Sequence, residues 1–186
     1  MAVKSRVTLD EFLLMEDQKP ALEYACGEVF QKSMPNRKHS KIQIFLGVVL
    51  FQFLAKARIG EALTEFRCVF GPRGRERAFV PDLVYVANEH VTAEDYLRIA
   101  PDLAVEILSP GQNVARLLDK TQFYLLHGVR LVWMIDPEAA TIAVLSPTEE
   151  SRSLFGGDTL DGGDVLPGFS VAVDDIFAQL RPEPRR

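Results

Sequence analysis

The sequence predicts an α/β fold in which helices flank a mixed central sheet, formed by a single domain of 186 residues. Two observations lead to this fold class. Residues 102–108 and 129–135 are short apolar runs separated by a helical segment, the order found in a β-α-β unit with two parallel strands. Residues 37–58 form a long apolar stretch that is typical of a buried helix. The domain consists of an N-terminal helix and hairpin (1–36), a core (37–137) and a C-terminal group of short strands with one helix (138–186).

The composition limits the classes of partner and the location. The formal net charge is −5, so contact with a polyanion requires a local basic patch or a metal ion. Cys26 and Cys68 form no CxxC pair, which favours a reducing, cytoplasmic environment. The N-terminus lacks the apolar segment of a signal peptide, and the stretch 42–55 is too short to span a bilayer. We therefore expect a cytoplasmic protein without membrane association.

The N-terminal elements follow from local signals. Thr8 and Glu11 have the spacing of a capping box, which predicts a short helix after Thr8. Two extended runs flank Cys26-Gly27 and predict a hairpin that carries Glu23 on its first arm. Residues 35–36 then break the chain before the long helix. Apolar residues occupy most of the circumference of that helix, which predicts a central helix covered on all sides.

The middle of the chain alternates strands and turns. We expect Gly60 to end the long helix, and residues 62–70 and 78–87 to form two strands joined as a hairpin. Pro81 indicates a bulge or an edge position in the second strand. Thr92 and Asp95 predict helical turns over 92–98.

The last third of the chain begins with the β-α-β unit, whose helix spans about residues 113–127. Short antiparallel strands are expected at 141–146, 151–155 and 168–173, separated by a break at 158–164. A helix follows at 174–180, and residues 181–186 are expected to fray.

Glu106 is the first candidate for a catalytic residue. It is the single charged side chain between Leu103 and Leu108 in a strand that is otherwise apolar, and burying a carboxylate costs several kcal/mol unless it is compensated. A cation, a metal ion or hydrogen bonds can provide that compensation. A buried ion pair with an arginine is the structural alternative to a catalytic role.

Asp82 is a second acid that the sequence predicts to lie near Glu106. It follows Pro81 in the preceding long strand, and if the two strands are neighbours, both carboxylates converge at one end of the sheet. Two close carboxylates repel unless a divalent cation lies between them. Mg²⁺ suits this arrangement because it takes oxygen ligands and often uses one or two carboxylates. The main-chain carbonyl of Ile107 offers a third oxygen ligand.

Lys120 lies two turns into the following helix, from where its side chain can extend toward both acids. Its role would be to orient or deprotonate the attacking water and to offset charge in the transition state. Arg116 is one turn earlier on the same face. Its charge would lower the pKa of the lysine while the carboxylates raise it, and the sequence leaves the balance open.

The order P-D, then E in a strand, then a displaced lysine resembles the PD-(D/E)XK nuclease superfamily, and more narrowly its Uma-type endonuclease family. The matching segments run through nearly the whole chain: LEYACGEV with Glu23 and Gly27, His39 at a helix start, PDLVYV, PDLAVEILSP, Lys120, Tyr124, Gly128-Val129, Trp133 and Asp136-Pro137. The resemblance implies a restriction-endonuclease-like fold. It also implies DNA as the substrate, Mg²⁺ (or Mn²⁺) as the cofactor, and a homodimer or larger homo-oligomer.

The resemblance also assigns roles to residues. Asp82 and Glu106 would be metal ligands and Lys120 the catalytic lysine, displaced from the usual position that Leu108 occupies here. Glu23 would be an accessory acid near the metal and His39 a substrate-side contact.

Both accessory residues have structural alternatives. Glu23 could be an exposed hairpin residue, and His39 could cap or pack at the helix start. The sequence departs from the family pattern at Leu131-Val132, where the family has E-Y, and at Arg116, where it has an acid.

The sequence therefore predicts a metal-dependent endonuclease that hydrolyses phosphodiester bonds in DNA with a metal-activated water. Because a fold does not fix an activity, two alternatives stay open. One is a catalytically silent module that binds nucleic acid or protein, and the other is a structural oligomer subunit.

Overall fold

The structure is a computed structural model that describes residues 6–181, so the expected fraying of 182–186 lies outside the described residues. The elements in chain order are α1 (Leu9–Leu13), β1 (Leu22–Ala25), β2 (Glu28–Gln31), α2 (Arg37–Ala57), β3 (Gly60–Thr64), β4 (Cys68–Phe70), β5 (Arg77–Phe79), β6 (Leu83–Ala87), a 3₁₀ turn (Asn88–His90), β7 (Leu103–Ile107), α3 (Val114–Leu126), β8 (Leu131–Asp136), β9 (Thr141–Leu145), β10 (Arg152–Leu154), β11 (Thr159–Gly162), β12 (Leu166–Ala172) and α4 (Val173–Ala178). The Thr8–Glu11 capping box and the β1–β2 hairpin are confirmed.

The central sheet has six strands in the order β10-β9-β8-β7-β6-β3. Strands β7 and β8 are parallel and α3 connects them, which confirms the predicted β-α-β unit. The other pairs in this sheet are antiparallel. The sheet is therefore mixed, as expected.

A second, four-stranded sheet has the order β2-β1-β5-β4. The strand predicted at 62–70 is divided into β3, in the central sheet, and β4, in the small sheet. The strand predicted at 78–87 is divided in the same way into β6 and β5, because β3 pairs with β6 and β4 pairs with β5. The bulge or edge expected at Pro81 is a complete break in the strand. Residues 80–82 carry the chain from the small sheet into the central one.

Helix α2 covers one face of the central sheet. Its buried apolar residues recur every four positions and pack on alternate residues of β6, β7 and β8: Ile42, Leu46, Leu50 and Leu54. Ile44 and Phe51 are 69% and 70% exposed. The prediction of a helix covered on all sides is wrong, because nothing in the described chain packs on its outer face.

With 21 residues, α2 is longer than the stretch 42–55. By length and hydropathy it is the one helix within residues 6–181 that could span a membrane. Core helices of globular proteins can have the same length and hydropathy. Here its buried face packs on the sheet.

Two local predictions differ from the structure. Helix α2 ends at Ala57, close to the predicted bound of 58, but its cap is Arg58 in the left-handed conformation and not Gly60. Gly60 begins β3, where a Cβ atom would lie 2.1 Å from the carbonyl oxygen of Val86. Residues 92–98 form no helix, because the main chain of Leu97 instead bonds to Arg67 and Val69 across the fold.

The C-terminal strands complete the main core. Strand β11 lies at 159–162, where a break was expected, and pairs with β12. Apolar side chains from this part, including Leu160, Phe169 and Ile176, are buried in the same cluster as α2. These side chains are therefore part of the main core of the chain.

Candidate active site

The site is built where the chain crosses between the two sheets. The main chain of Asp82 donates to the carbonyl of Val105 at 3.0 Å, which continues the β6–β7 pairing past Leu83. The amide of Ile107 in turn donates to Asp82 Oδ2 at 2.7 Å. Asp82 therefore lies beside the C-terminal end of β7, next to Glu106. The predicted proximity of the two acids follows from this register.

Glu106 is 2% exposed and faces α3. The Nζ atom of Lys120 lies 2.7 Å from Glu106 Oε1 and 2.7 Å from Glu23 Oε1. The hydroxyl of Tyr124, one turn after the lysine, donates to Glu106 Oε1 at 2.7 Å. The compensation that Glu106 requires thus comes from a lysine and a tyrosine, and the alternative of an arginine partner is wrong.

Asp82 has a separate set of partners. Lys32 Nζ lies 2.7 Å from Asp82 Oδ1 and also donates to the carbonyl of Val80 at 2.7 Å. His39 Nε2 lies 3.1 Å from Asp82 Oδ2, while His39 Nδ1 is buried without a partner among the described residues. Sequence reasoning missed Lys32. The available signal was its position directly after the second arm of the hairpin that carries Glu23.

Glu23 and His39 both line the candidate site. Glu23 is 4% exposed, which excludes the alternative of an exposed hairpin residue, and its Oε1 accepts from the amide of Val80 at 3.0 Å. His39 is positioned by Asn36, which caps α2. Its buried ring contacts Asp82 through Nε2.

Burial and ion pairing act in opposite directions on the titratable groups. Burial alone would raise the pKa of Asp82, but Lys32 and His39 outweigh it and hold that pKa below its usual value. For Glu106, burial is the larger effect and its pKa is raised despite Lys120. Burial would lower the pKa of Lys120, but Glu106 and Glu23 raise it above its usual value. The carboxylates therefore decide the balance that the sequence left open, and Lys120 is a cation at neutral pH.

All of these groups line one cavity of about 530 Å³. Its lining contains each residue that the sequence proposed for the site: Glu23, His39, Asp82, Glu106, Ile107 and Lys120. Arg116 also lies in the lining, with its guanidinium 4.3 Å from the ring centre of Phe30. The structure thus brings together every candidate residue and leaves none of them elsewhere.

The carboxylates that line the cavity offer oxygen ligands, which Mg²⁺ prefers. No group of three or more His, Cys, Asp and Glu side chains within residues 6–181 has the arrangement of a metal site. Mg²⁺ is commonly bound by one or two carboxylates and several waters. Asp82 and Glu106, with the neighbouring main chain of Ile107, fit that mode of binding.

The mixed sheet and the Asp-Glu-Lys cavity at the end of its central strands define the class, a restriction-endonuclease-like fold. Comparison with known proteins identifies the family. The sequence model of the Uma2 family, described as "Putative restriction endonuclease", matches residues 9–174. The chain belongs to this family.

A solved structure supports the same assignment. The crystal structure of a protein from Anabaena variabilis ATCC 29413, described as "a putative nuclease belonging to DUF820", is similar to this chain with a TM-score of 0.86 and 31% sequence identity. The similarity covers 94% of this chain and 99% of that one. A search of curated proteins gave no match. The family and this neighbour support a nuclease, for which the substrate is a nucleic acid.

Proposed function

We propose that this protein is a Mg²⁺-dependent endonuclease that hydrolyses phosphodiester bonds in DNA. The observation that carries the proposal is the convergence of Asp82, Glu106 and Lys120 on one cavity, with the lysine 2.7 Å from Glu106. Buried acids and a buried amine at the rim of a cleft are the arrangement expected of a catalytic site and are costly in a purely structural one.

Asp82, Glu106 and the carbonyl of Ile107 are the groups that would hold Mg²⁺, or Mn²⁺ in its place. Such an ion supplies Lewis-acid polarisation of a phosphate oxygen and lowers the pKa of a bound water. The requirement for a metal and the preference for DNA are parts of the proposal.

The residues of the chain supply position and charge. The ammonium of Lys120, whose pKa Glu106 and Glu23 raise, can orient the attacking water and offset the negative charge that develops on the phosphate. Glu23 holds this lysine from the opposite side at 2.7 Å. Tyr124 holds Glu106, and His39 holds Asp82.

The proposal extends to assembly and location. A homodimer would place one site on each strand of a duplex. The exposed free thiol of Cys26 is compatible with a cytoplasmic protein. Light scattering on the purified protein tests the assembly, and cell fractionation tests the location.

One observation favours the silent binding module as a second candidate. Each acid already has a lysine as its counter-ion, so the site is electrically satisfied without a metal. A module of this kind would bind nucleic acid but would not cleave it.

Plasmid cleavage separates the two candidates. Supercoiled DNA is incubated with the protein and Mg²⁺ or Mn²⁺, and Asp82→Asn and Lys120→Ala are compared with Asp161→Asn. Asp161 pairs with Arg152 on the surface and serves as the matched control. We expect nicking by the wild type and by the control, and a loss of at least about 100-fold in the two site variants. Binding without cleavage by folded wild type would support the module, and cleavage that persists in both site variants would contradict the proposed site.

A further inference from the structure

We propose that Lys32 is a built-in counter-ion at Oδ1 of Asp82, and that a divalent metal ion bound by Asp82 would compete with it for that oxygen. The inference rests on the proposed metal-dependent function. It assigns a positioning and regulatory role to a residue that lies outside the Asp-Glu-Lys motif.

The two oxygens of Asp82 differ in how firmly their partners are held. Oδ2 accepts from the main-chain amide of Ile107 at 2.7 Å and lies 3.1 Å from His39 Nε2. The amide of Ile107 is fixed by the main chain of a strand, and the ring of His39 is buried at the first turn of α2. Oδ1 contacts the ammonium of Lys32, at the end of a flexible side chain. A metal ion can therefore gain access to Asp82 at Oδ1.

The ammonium of Lys32 already occupies an oxygen-lined position. It lies 2.7 Å from Asp82 Oδ1 and 2.7 Å from the carbonyl oxygen of Val80. Its side chain is 14% exposed and lines the cavity. Hard cations such as Mg²⁺ seek the same kind of oxygen ligand. Because two cations on one carboxylate oxygen repel strongly at short range, the ion and the ammonium compete for this position.

The charges of the cavity lining explain why this competition matters. The lining contains four basic side chains (Lys19, Lys32, Arg116 and Lys120) and four acidic ones (Glu23, Glu65, Asp82 and Glu106). The formal charges of these eight side chains therefore cancel. An incoming divalent ion is favoured when one of the ammonium groups moves away.

Lys32 is better suited to move than Lys120. Lys120 contacts two acids at 2.7 Å, and its ammonium lies 5.4 Å from the ring centre of Phe79 and 5.8 Å from that of Tyr124. Lys32 contacts one acid, and its main chain is fixed by a hydrogen bond from its amide to the carbonyl of Ala21 at 2.9 Å. The side chain can thus swing into the cavity while the hairpin stays in place.

Titration calorimetry with Mn²⁺ on the full-length protein tests the competition. Lys32→Met removes the internal cation and keeps an unbranched side chain, and Lys38→Met is the matched control on the surface. We expect Lys32→Met to bind Mn²⁺ about tenfold more tightly than the wild type, the control to bind like the wild type, and Asp82→Asn to lose this binding. Without metal, Lys32→Met should have a lower Tm than the wild type. Added Mn²⁺ should raise the Tm of Lys32→Met by more than it raises that of the wild type.

Residue-resolved lysine acetylation of the wild type gives a second readout that does not depend on activity. Mn²⁺ should increase the rate at which Lys32 is acetylated and leave that of Lys38 unchanged. Equal Mn²⁺ affinity of wild type and Lys32→Met, with unchanged acetylation of Lys32, would overturn this inference and leave the metal site standing. If no variant binds Mn²⁺, the proposed metal-dependent function is contradicted together with the inference.

Discussion

Replacing Lys120 by methionine should destabilise the protein far more than an ordinary lysine substitution. The change removes the ammonium that lies 2.7 Å from both Glu23 and Glu106, whose side chains are 6% and 2% exposed. Breaking a buried ion pair by removing one partner costs about 3–5 kcal/mol, because the remaining charge is left uncompensated. Tyr124 still donates to Glu106, but a single hydroxyl does not replace a charge. We therefore expect a loss in unfolding free energy of about 3–5 kcal/mol at pH 7.

The loss should depend on pH in a defined direction. In the wild type, burial raises the pKa of Glu106 and Lys120 opposes that rise. Without the lysine, the pKa of Glu106 in the folded state rises further above that of the unfolded chain, about 4.3. At pH values between these two pKa values, the folded state binds more protons than the unfolded state. The free energy of unfolding of the variant therefore falls as the pH rises. The variant should therefore be less destabilised at pH 5 than at pH 8.

Urea unfolding at both pH values measures the effect. Lys38→Met is the control, because Lys38 and its partner Glu138 are 43% and 64% exposed and a surface pair contributes at most about 1 kcal/mol. Adding Glu106→Gln to the Lys120 variant should restore part of the lost stability, since an amide is less costly to bury than a carboxylate. A loss for Lys120→Met no larger than that of the control, or one that is the same at pH 5 and pH 8, would refute the reasoning.

Three further predictions follow from the geometry. Tyr124→Phe removes a buried hydrogen bond to a carboxylate and should lower the free energy of unfolding by about 1.5–3 kcal/mol, measured by urea titration; no change would show that the hydroxyl is dispensable. Because the pKa of Asp82 is lowered, its ionised form stabilises the fold above about pH 4 and that contribution is lost as the pH falls. Thermal melts of Asp82→Asn should therefore show a weaker decline in Tm below pH 4 than wild-type melts, and parallel curves would contradict the pairing. On α2, Leu46→Ala should cost about 2–5 kcal/mol and the exposed Phe51→Ser at most about 0.5 kcal/mol, and equal losses would contradict the one-sided packing.

The sequence contained the information for the central part of the site. Asp82 and Glu106 each lie within an apolar run that predicts a strand, and pairing of the two strands brings the acids to the same end of the sheet. Lys120 is six residues after the start of α3 at Val114, so helical spacing alone places it within reach of Glu106. These relations depend on short segments and on the pairing of strands that are close in sequence. They were predictable for that reason.

The rest depended on contacts that local patterns do not encode. Lys32 reaches Asp82 because the hairpin pairs with β5, Tyr24 opposite Ala78, across more than fifty residues of chain. The same small sheet divides the strand predicted at 62–70, since its two halves pair with different partners. At 92–98 the capping signal was overridden by main-chain bonds of Leu97 to the small sheet.

The apolar pattern of α2 was similarly ambiguous. Ile44 and Phe51 belong to the same apolar stretch as the buried Leu46, and hydrophobicity alone does not say which face the chain itself covers. That depends on where the sheet lies, which is a property of the whole fold.

A crystal soaked in Mn²⁺ tests the central claim most directly. The anomalous difference map should show a peak in the cavity bound by Asp82 and Glu106, with the ammonium of Lys120 beside it. We expect that peak at millimolar Mn²⁺ in the wild type and its loss in Asp82→Asn. A well-ordered cavity without any peak, or a peak confined to other acids on the surface, would contradict it.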